Sequence, residues 1–377
     1  MKISTHLILV SAQQIQNITP FLDEAIKPQK VIMLVSPDMR ERAKALENIF
    51  KPRGISVEQW PIDDAWDVDR ISDAILNILS QYPEGDIALN ATGGTKLMSI
   101  AAYEAFRSEK APIYYVHPEH DRLLWLSPKK APHDLADRLK LKDYLMAYGA
   151  DQVDISSDTQ SVPPNVQALT QTLLLDIERY AEELGTLNYL AYQADNPQLK
   201  VEIEHGPQSR PVLWELLELF ENANFCKMNG HTLSFANQQA RFFTNGGWLE
   251  MHTYNLCIKL KSTCQIQDVA SNITIHRYPA GKTAVKNEID VGLIRANRLH
   301  LIECKTKRFD KDADVLYKLK SLLDLMGGQQ GRAMLVSFNT LDKSSRARAK
   351  ELKIALCCKG DLKNLQQQLQ TWLIAGR

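Results

Sequence analysis

Residues 1–127 alternate short apolar runs with helical stretches, and this alternation limits the fold more than any other feature. Leu7-Ile8-Leu9-Val10, Val31-Ile32-Met33-Leu34-Val35 and Ile87-Ala88-Leu89 read as strands buried on both faces. Residues 40–50 and 68–79, which lie between these runs, have helical periodicity. Buried strands separated by helices imply βαβ units and a doubly wound parallel sheet covered on both faces. Such a sheet binds ligands beyond the carboxyl ends of its strands, where strand order reverses.

The loop after the fourth strand is Asn90-Ala91-Thr92-Gly93-Gly94-Thr95-Lys96, and a helix over residues 97–107 follows. Gly93 and Gly94 let backbone approach a ligand closely. Thr92 and Thr95 offer hydroxyls, Lys96 a charge, and the helix N-terminus free amides. Together they make a phosphate cradle. The order Gly-Lys-Ser/Thr is missing, so this is not a Walker A loop. A Gly-rich turn with a Thr N-cap is the plainer alternative.

In the second half, Asn287-Glu288-Ile289-Asp290-Val291-Gly292 is followed by Leu301-Ile302-Glu303-Cys304-Lys305. Both lie in apolar runs, and Arg295-Ala296-Asn297-Arg298 reads as a hairpin turn between them. Strand side chains alternate faces, so Glu303 and Lys305 point the same way and Asp290 can meet them. Two carboxylates and an amine at one point suit a hard divalent cation and an attacking water. Glu250 follows Asn245-Gly246-Gly247-Trp248-Leu249 and falls in the first turns of a helix. There it either offsets the helix dipole or joins the site. An ordinary hairpin with surface charges is the alternative for the whole set.

The Asp290, Glu303 and Lys305 spacing resembles the PD-(D/E)xK nucleases of restriction-endonuclease-like fold, although Ile289 replaces their usual Pro. The first half, with Ala-Thr-Gly-Gly-Thr-Lys after its fourth strand, resembles the CARF domain, the CRISPR-associated Rossmann fold. Joined, the two resemble the ring-nucleotide-activated nucleases of type III CRISPR defence. That resemblance implies a homodimer binding cyclic oligoadenylate, with cyclic tetra-adenylate favoured, across its two-fold axis. It also places Ser11, Ser36 and Pro37 beside residues 92–96 in the ligand site. In the nuclease it implies Mg or Mn on Asp290, Glu303 and the Cys304 carbonyl, with Lys305 and Glu250 completing the catalytic set and DNA or RNA as substrate. A ligand-responsive transcription regulator with an inactive nuclease fold, or a DNA-repair nuclease with a nucleotide-binding domain, are the competing readings.

The expected organisation is an α/β chain with a ligand domain over 1–150, a linker and helical connection over 151–200, and a nuclease domain over 201–377. Charge is uneven along the chain. Residues 1–150 hold 18 basic and 20 acidic residues, residues 151–240 hold 4 and 13, and residues 241–377 hold 23 and 12. The excess of +11 thus lies with the metal motif, where a phosphate backbone would need it. Its densest clusters are Lys305-Thr306-Lys307-Arg308 and Arg346-Ala347-Arg348-Ala349-Lys350. The helix-then-hairpin over 211–235 reads as a winged module or as nuclease scaffold, and its acidity favours scaffold. Six cysteines without a CxxC pair read as reduced, buried thiols of a cytoplasmic protein. No apolar stretch has the length of a membrane span.

Overall fold

The computed structural model describes residues 3–83, 85–155, 164–278, 283–306, 312–328 and 330–375. Its first sheet contains β1 (Thr5–Leu9), β2 (Lys30–Val35), β3 (Ser56–Pro61), β4 (Ile87–Asn90) and β5 (Ile113–His117), all parallel. The antiparallel β6 (Arg122–Ser127) and β7 (His133–Asp134) extend one edge, giving the order β3-β2-β1-β4-β5-β6-β7. The order reverses between β1 and β4, the expected doubly wound arrangement. Residues of β1 alternate between two cores. Ile8 packs with α1 (Ile15–Leu22) and α2 (Arg40–Phe50), while Leu7 and Leu9 pack with α3 (Val68–Leu79) and α4 (Lys96–Ser108). Strand alternation therefore explains why each run is apolar throughout.

After α5 (Leu141–Ala147), β8 (Gln152–Ile155) pairs with the far edge of the second sheet. It lies in the stretch read as a connection. The helices α6 (Pro164–Leu175) and α7 (Ile177–Gln193) follow. The sequence reads as one helix over residues 169–190, but the structure breaks it at Asp176, where the backbone leaves the helical region. Apolar spacing runs on across the break, so periodicity alone does not mark it. The strands β9 (Lys200–Glu202), β10 (Cys226–Asn229) and β11 (Thr232–Phe235) form a small antiparallel sheet with α8 (Pro211–Asn222). Leu213, Leu217, Phe220 and Leu233 of this unit share a core with Trp248, Val291 and Ile302, so the unit is packed as part of the C-terminal domain.

The second large sheet follows α9 (Gln238–Phe242) and α10 (Trp248–Lys259). It contains β12 (Ile266–Arg277), β13 (Val285–Arg295), β14 (Arg298–Lys305), then α11 (Asp312–Met326), β15 (Arg332–Ser337), α12 (Lys343–Glu351), β16 (Ile354–Cys358) and α13 (Leu365–Ile374). Its order is β16-β15-β14-β13-β12-β8. The element order from α10 to β15 is αβββαβ, which the sequence pattern over residues 250–338 also reads as. β13 and β14 meet through a two-residue turn in which Ala296 and Asn297 both have left-handed backbones, φ 48° and 52°. Two positive φ values match the type I′ geometry whose twist suits a tight hairpin. Leu141 and Tyr144 of α5 join Ile8 and Ile18 of the first domain to Ile273, Leu301 and Leu323 of the second in one apolar core. Among the described residues no helix is long and apolar enough to cross a membrane. The six cysteines are free and buried.

Candidate active site and ligand loop

The expected hairpin brings Asp290, Glu303 and Lys305 together. Val291 pairs with Ile302 across the ladder, so one step further Asp290 stands opposite Glu303. Cross-strand neighbours in an antiparallel pair share a face, as do residues two apart on one strand. The Lys305 Nζ lies 2.5 Å from Glu303 Oε1 and 3.5 Å from Asp290 Oδ2. It also donates to the Cys304 carbonyl at 3.1 Å. Asp290 Oδ2 accepts the Cys304 backbone N–H at 2.7 Å, which fixes the carboxylate against the neighbouring strand. Glu250 lies in the first turn of α10, where its charge is felt by Asp290, Glu303 and Lys305.

Burial dominates the electrostatics of this pocket. It raises Glu250 to about 8, and the nearby Asp290 charge adds to the shift. Burial likewise raises Asp290 and Glu303, against the pull of Lys305. Burial disfavours the Lys305 ammonium, but Asp290 and Glu303 outweigh it and hold the pKa above its ordinary value. The thiol of Cys304 points away, to the Thr253 hydroxyl 3.5 Å off, and burial pushes it far up. Only its carbonyl is therefore available to a hard cation.

Among the described residues no three His, Cys, Asp or Glu side chains form a ready-made metal cage. The ammonium itself tests the fit. It touches one oxygen each of Asp290, Glu303 and the Cys304 carbonyl, the three groups the sequence assigned to a metal. These oxygens can therefore surround one positive charge, and all are hard donors of the kind Mg and Mn take.

Sequence reasoning missed the support behind this pocket. Asn188, wholly buried on α7, donates to the Thr306 hydroxyl at 3.0 Å. A Cβ on Gly246, whose φ is 106°, would lie 2.1 Å from that same hydroxyl. Gly246 is thus required where the turn before α10 crosses the end of β14. The basic clusters are only partly legible here: Lys307 and Arg308 lie outside the described residues. In α12, Arg348 pairs with Glu351 at 2.6 Å and its guanidinium lies over the Tyr317 ring, while Arg346 donates to the Leu341 carbonyl at 3.1 Å.

The second set of expected residues gathers at the carboxyl edge of the first sheet. Ser11 follows β1, Ser36 and Pro37 follow β2, and residues 92–96 follow β4. Most are already engaged. Ser11 donates to the Gln13 carbonyl at 3.0 Å and Ser36 to Asp38 at 2.7 Å. Thr92 donates to Asn90 Oδ1 at 2.6 Å and accepts the Val116 N–H at 2.8 Å. Thr95 caps α4 by accepting the Met98 N–H at 3.1 Å and donates to the Ala65 carbonyl at 3.0 Å. The glycines are needed for packing. A Cβ on Gly93 would meet the Leu9 carbonyl oxygen at 2.1 Å, and Gly94 has φ 77° with Leu9 Cβ 2.9 Å from the added atom. Close approach is thus to the chain's own β1 end. Lys96 is exposed at the start of α4.

With this geometry in place, two family descriptions match the chain. "Card1 CARF domain" matches residues 5–144 and "Card1-like, endonuclease domain" matches residues 237–375. Among solved structures, protein VC1899 from Vibrio cholerae is 31% identical with TM-score 0.89, and each chain covers 100% of the other. Can2 from Sulfobacillus thermosulfidooxidans, in complex with cyclic tetra-adenylate, is 28% identical with TM-score 0.82 over 99% of this chain and 100% of that one. A type III CRISPR defence DNA nuclease activated by cyclic oligoadenylate is 18% identical, with TM-score 0.54 over 89% of this chain and 45% of that one. At that identity the likeness concerns the fold alone. No curated protein matches the chain significantly.

Proposed function

The chain belongs to the Card1-like endonucleases that carry a Card1 CARF domain, and on that premise we propose a metal-dependent endonuclease switched on by cyclic oligoadenylate. The observation that carries the catalytic part is the pairing of Lys305 with Asp290 and Glu303 in one half-buried pocket, within the electrostatic reach of Glu250. Asp290, Glu303 and the Cys304 carbonyl would hold Mg or Mn. When bound, such an ion supplies Lewis-acid charge at the scissile phosphate. Lys305 keeps its proton and stabilises the extra negative charge of the pentacovalent phosphorane, or lowers the pKa of the attacking water. Glu250, beside them and held largely protonated near neutral pH by its burial, would orient that water.

Regulation is read from the other sheet. Lys96 and the residues 92–95 loop sit at the switch point of a doubly wound fold, where a phosphate ring would lie. Cyclic tetra-adenylate is the favoured ring, since the Can2 relative was solved with it. A symmetric ring suits a closed two-fold dimer. Trp66, 71% exposed, and Ile100, 54% exposed and one turn from Lys96, border the loop and offer apolar surface for such a pairing. A ring activates only by binding the active arrangement more tightly, and a shift from mostly idle to mostly active needs about 5 kcal/mol of differential binding.

The test is cleavage of labelled single- and double-stranded DNA and RNA, with and without Mn or Mg, and with and without cyclic tetra-adenylate. Cleavage that needs both additions supports the proposal. Cleavage indifferent to chelation sinks the metal assignment. Nucleic-acid binding without cleavage under every condition would favour a regulator.

A further inference from the structure

We propose that Asn297 and Asp121 form the joint through which the ligand domain positions the two catalytic strands, so that Asn297 is a positioning residue for the nuclease. The inference rests on the ring-activated reading above. Asn297 stands at the tip of the β13–β14 hairpin, and its side chain is 3% exposed. Its Nδ2 donates to Asp121 Oδ2, and its Oδ1 accepts from Gln267 Nε2 at 2.6 Å and from the Leu139 N–H at 3.3 Å. The next residue, Arg298, donates to the Glu119 carbonyl. Glu119 and Asp121 belong to the turn between β5 and β6 of the ligand domain. The hairpin tip is therefore docked on the other domain by side-chain and main-chain acceptors together.

The backbone supports a specified contact. Ala296 and Asn297 have φ 48° and 52°, and Asp121, facing them, has φ 46°. L-residues other than Gly hold such backbones where their surroundings over-determine them.

From Asp121 the bonding continues to the ligand loop. Asp121 Oδ1 accepts from Thr19 Oγ1 at 2.9 Å. Thr19 shares α1 with Asn17, whose Nδ2 donates to the Leu9 carbonyl at 3.0 Å and whose Oδ1 accepts from Asn90 Nδ2 at 3.2 Å. Asn90 in turn accepts from Thr92 Oγ1 at 2.6 Å, and Thr92 accepts from Val116 on β5 at 2.8 Å. Asn17, Thr19 and Asn90 are wholly buried. Buried polar groups of this kind stay in register with their partners because losing a partner is costly. A movement of Thr92 thus reaches Asp121 by two routes, through α1 and through β5. Beyond Asp121, Asn297 begins a rigid ladder. Five residues along each strand from Arg295 and Arg298, about 17 Å, stand Asp290 and Glu303. A cavity of about 160 Å³, lined by Gln16, Thr92 and Tyr115 on one side and Asn297 and Arg298 on the other, lies between loop and hairpin tip.

The experiment uses the full-length chain. Ring affinity is measured by calorimetry with cyclic tetra-adenylate, and cleavage with Mn is measured with and without that ring. For Asn297→Ala and Asp121→Ala the ratio of stimulated to unstimulated rate falls by about 10-fold, within the usual range of coupling between sites. Ring affinity and unstimulated rate change far less. Asp121→Asn, which keeps an acceptor for Asn297 and tolerates the left-handed backbone, retains most of the stimulation. The double variant loses no more than either single one, because both break one joint. If Asn297→Ala fails to fold, Thr19→Val, which removes one bond at nearly constant volume, carries the test with a smaller loss of stimulation. Wild-type stimulation in these variants overturns the joint while leaving the ring-activated reading intact. Equal losses of stimulated and unstimulated rate also overturn it, since they mean a structural role only. A wild-type chain that the ring does not stimulate overturns both.

Discussion

At the end of β14, two half-buried carboxylates pair with the Lys305 ammonium and a third, Glu250, lies within their electrostatic reach, whereas at the carboxyl edge of the first sheet the polar side chains are mostly neutral and already hydrogen-bonded to the protein. The first region is charge-unbalanced by construction, and a cation entering it relieves the burial penalty on each carboxylate. The second is a loop in which Gly93 and Gly94 fix the backbone against Leu9 and Lys96 is left exposed at the rim. Removing a group from the first should therefore abolish chemistry. Removing one from the second should grade binding.

Glu303→Ala and Asp290→Asn test the steepest part of this contrast. Cleavage should drop by at least about 1000-fold, as for members of a catalytic set acting as a unit, while calorimetric ring affinity stays near wild type. Near wild-type cleavage in either variant with Mn or Mg present would remove the site assignment. Lys305→Ala should lower turnover more than metal affinity, because an ammonium is no metal ligand.

Substrate binding by catalytically dead Glu303→Ala should fall steeply with salt. With several phosphates neutralised by the +11 segment over 241–377, the loss between 50 and 200 mM is on the order of 1000-fold. A flat response, read by titrating labelled nucleic acid, would mean these residues serve internal pairs such as Arg348–Glu351 instead.

Lys96→Ala sharpens the comparison from the other side. One charge-assisted phosphate contact contributes roughly 1.5–3 kcal/mol, so ring affinity should weaken about 10- to 100-fold with unstimulated cleavage unchanged. An unaltered affinity would leave Lys96 a solvated helix residue.

The smallest effect concerns stability. Burial raises Glu250 to about 8 in the folded chain, from an ordinary value of 4.5. Its stabilising contribution is therefore complete below about pH 4.5 and is lost as pH rises toward 8, where the buried group must ionise. In chelator, the wild-type melting temperature should decline across that window, and Glu250→Gln should flatten the decline. Identical pH profiles would mean that Glu250 is not desolvated in the way its position implies.

How much of this could be read from the sequence differs between the same two regions. The hairpin that brings Asp290, Glu303 and Lys305 together was legible because everything it needs is local: apolar runs, a two-residue turn, and acids at strand spacing. The ligand loop was legible in place, from the parallel-sheet rule, but not in detail. Nothing in its composition distinguishes glycines that admit a ligand from glycines that admit Leu9. The joint was invisible, since Asn17, Thr19, Asn90 and Asn297 are buried polar residues and Asp121 a half-buried one, with partners up to 176 positions away. The break at Asp176 and the edge strand β8 were hidden likewise, because tertiary pairing decides both.

If the loop over 92–96 governs a metal-loaded pocket in the other domain, ring occupancy and cleavage rise together. The most direct test follows the initial cleavage rate at fixed Mn while cyclic tetra-adenylate is raised, alongside ring affinity measured on Glu303→Ala. The rate should climb from near zero and saturate at the concentration where the ring site fills, with Lys96→Ala moving both midpoints together. A rate that ignores the ring, or a Lys96→Ala midpoint that shifts for binding but not for cleavage, would contradict that coupling.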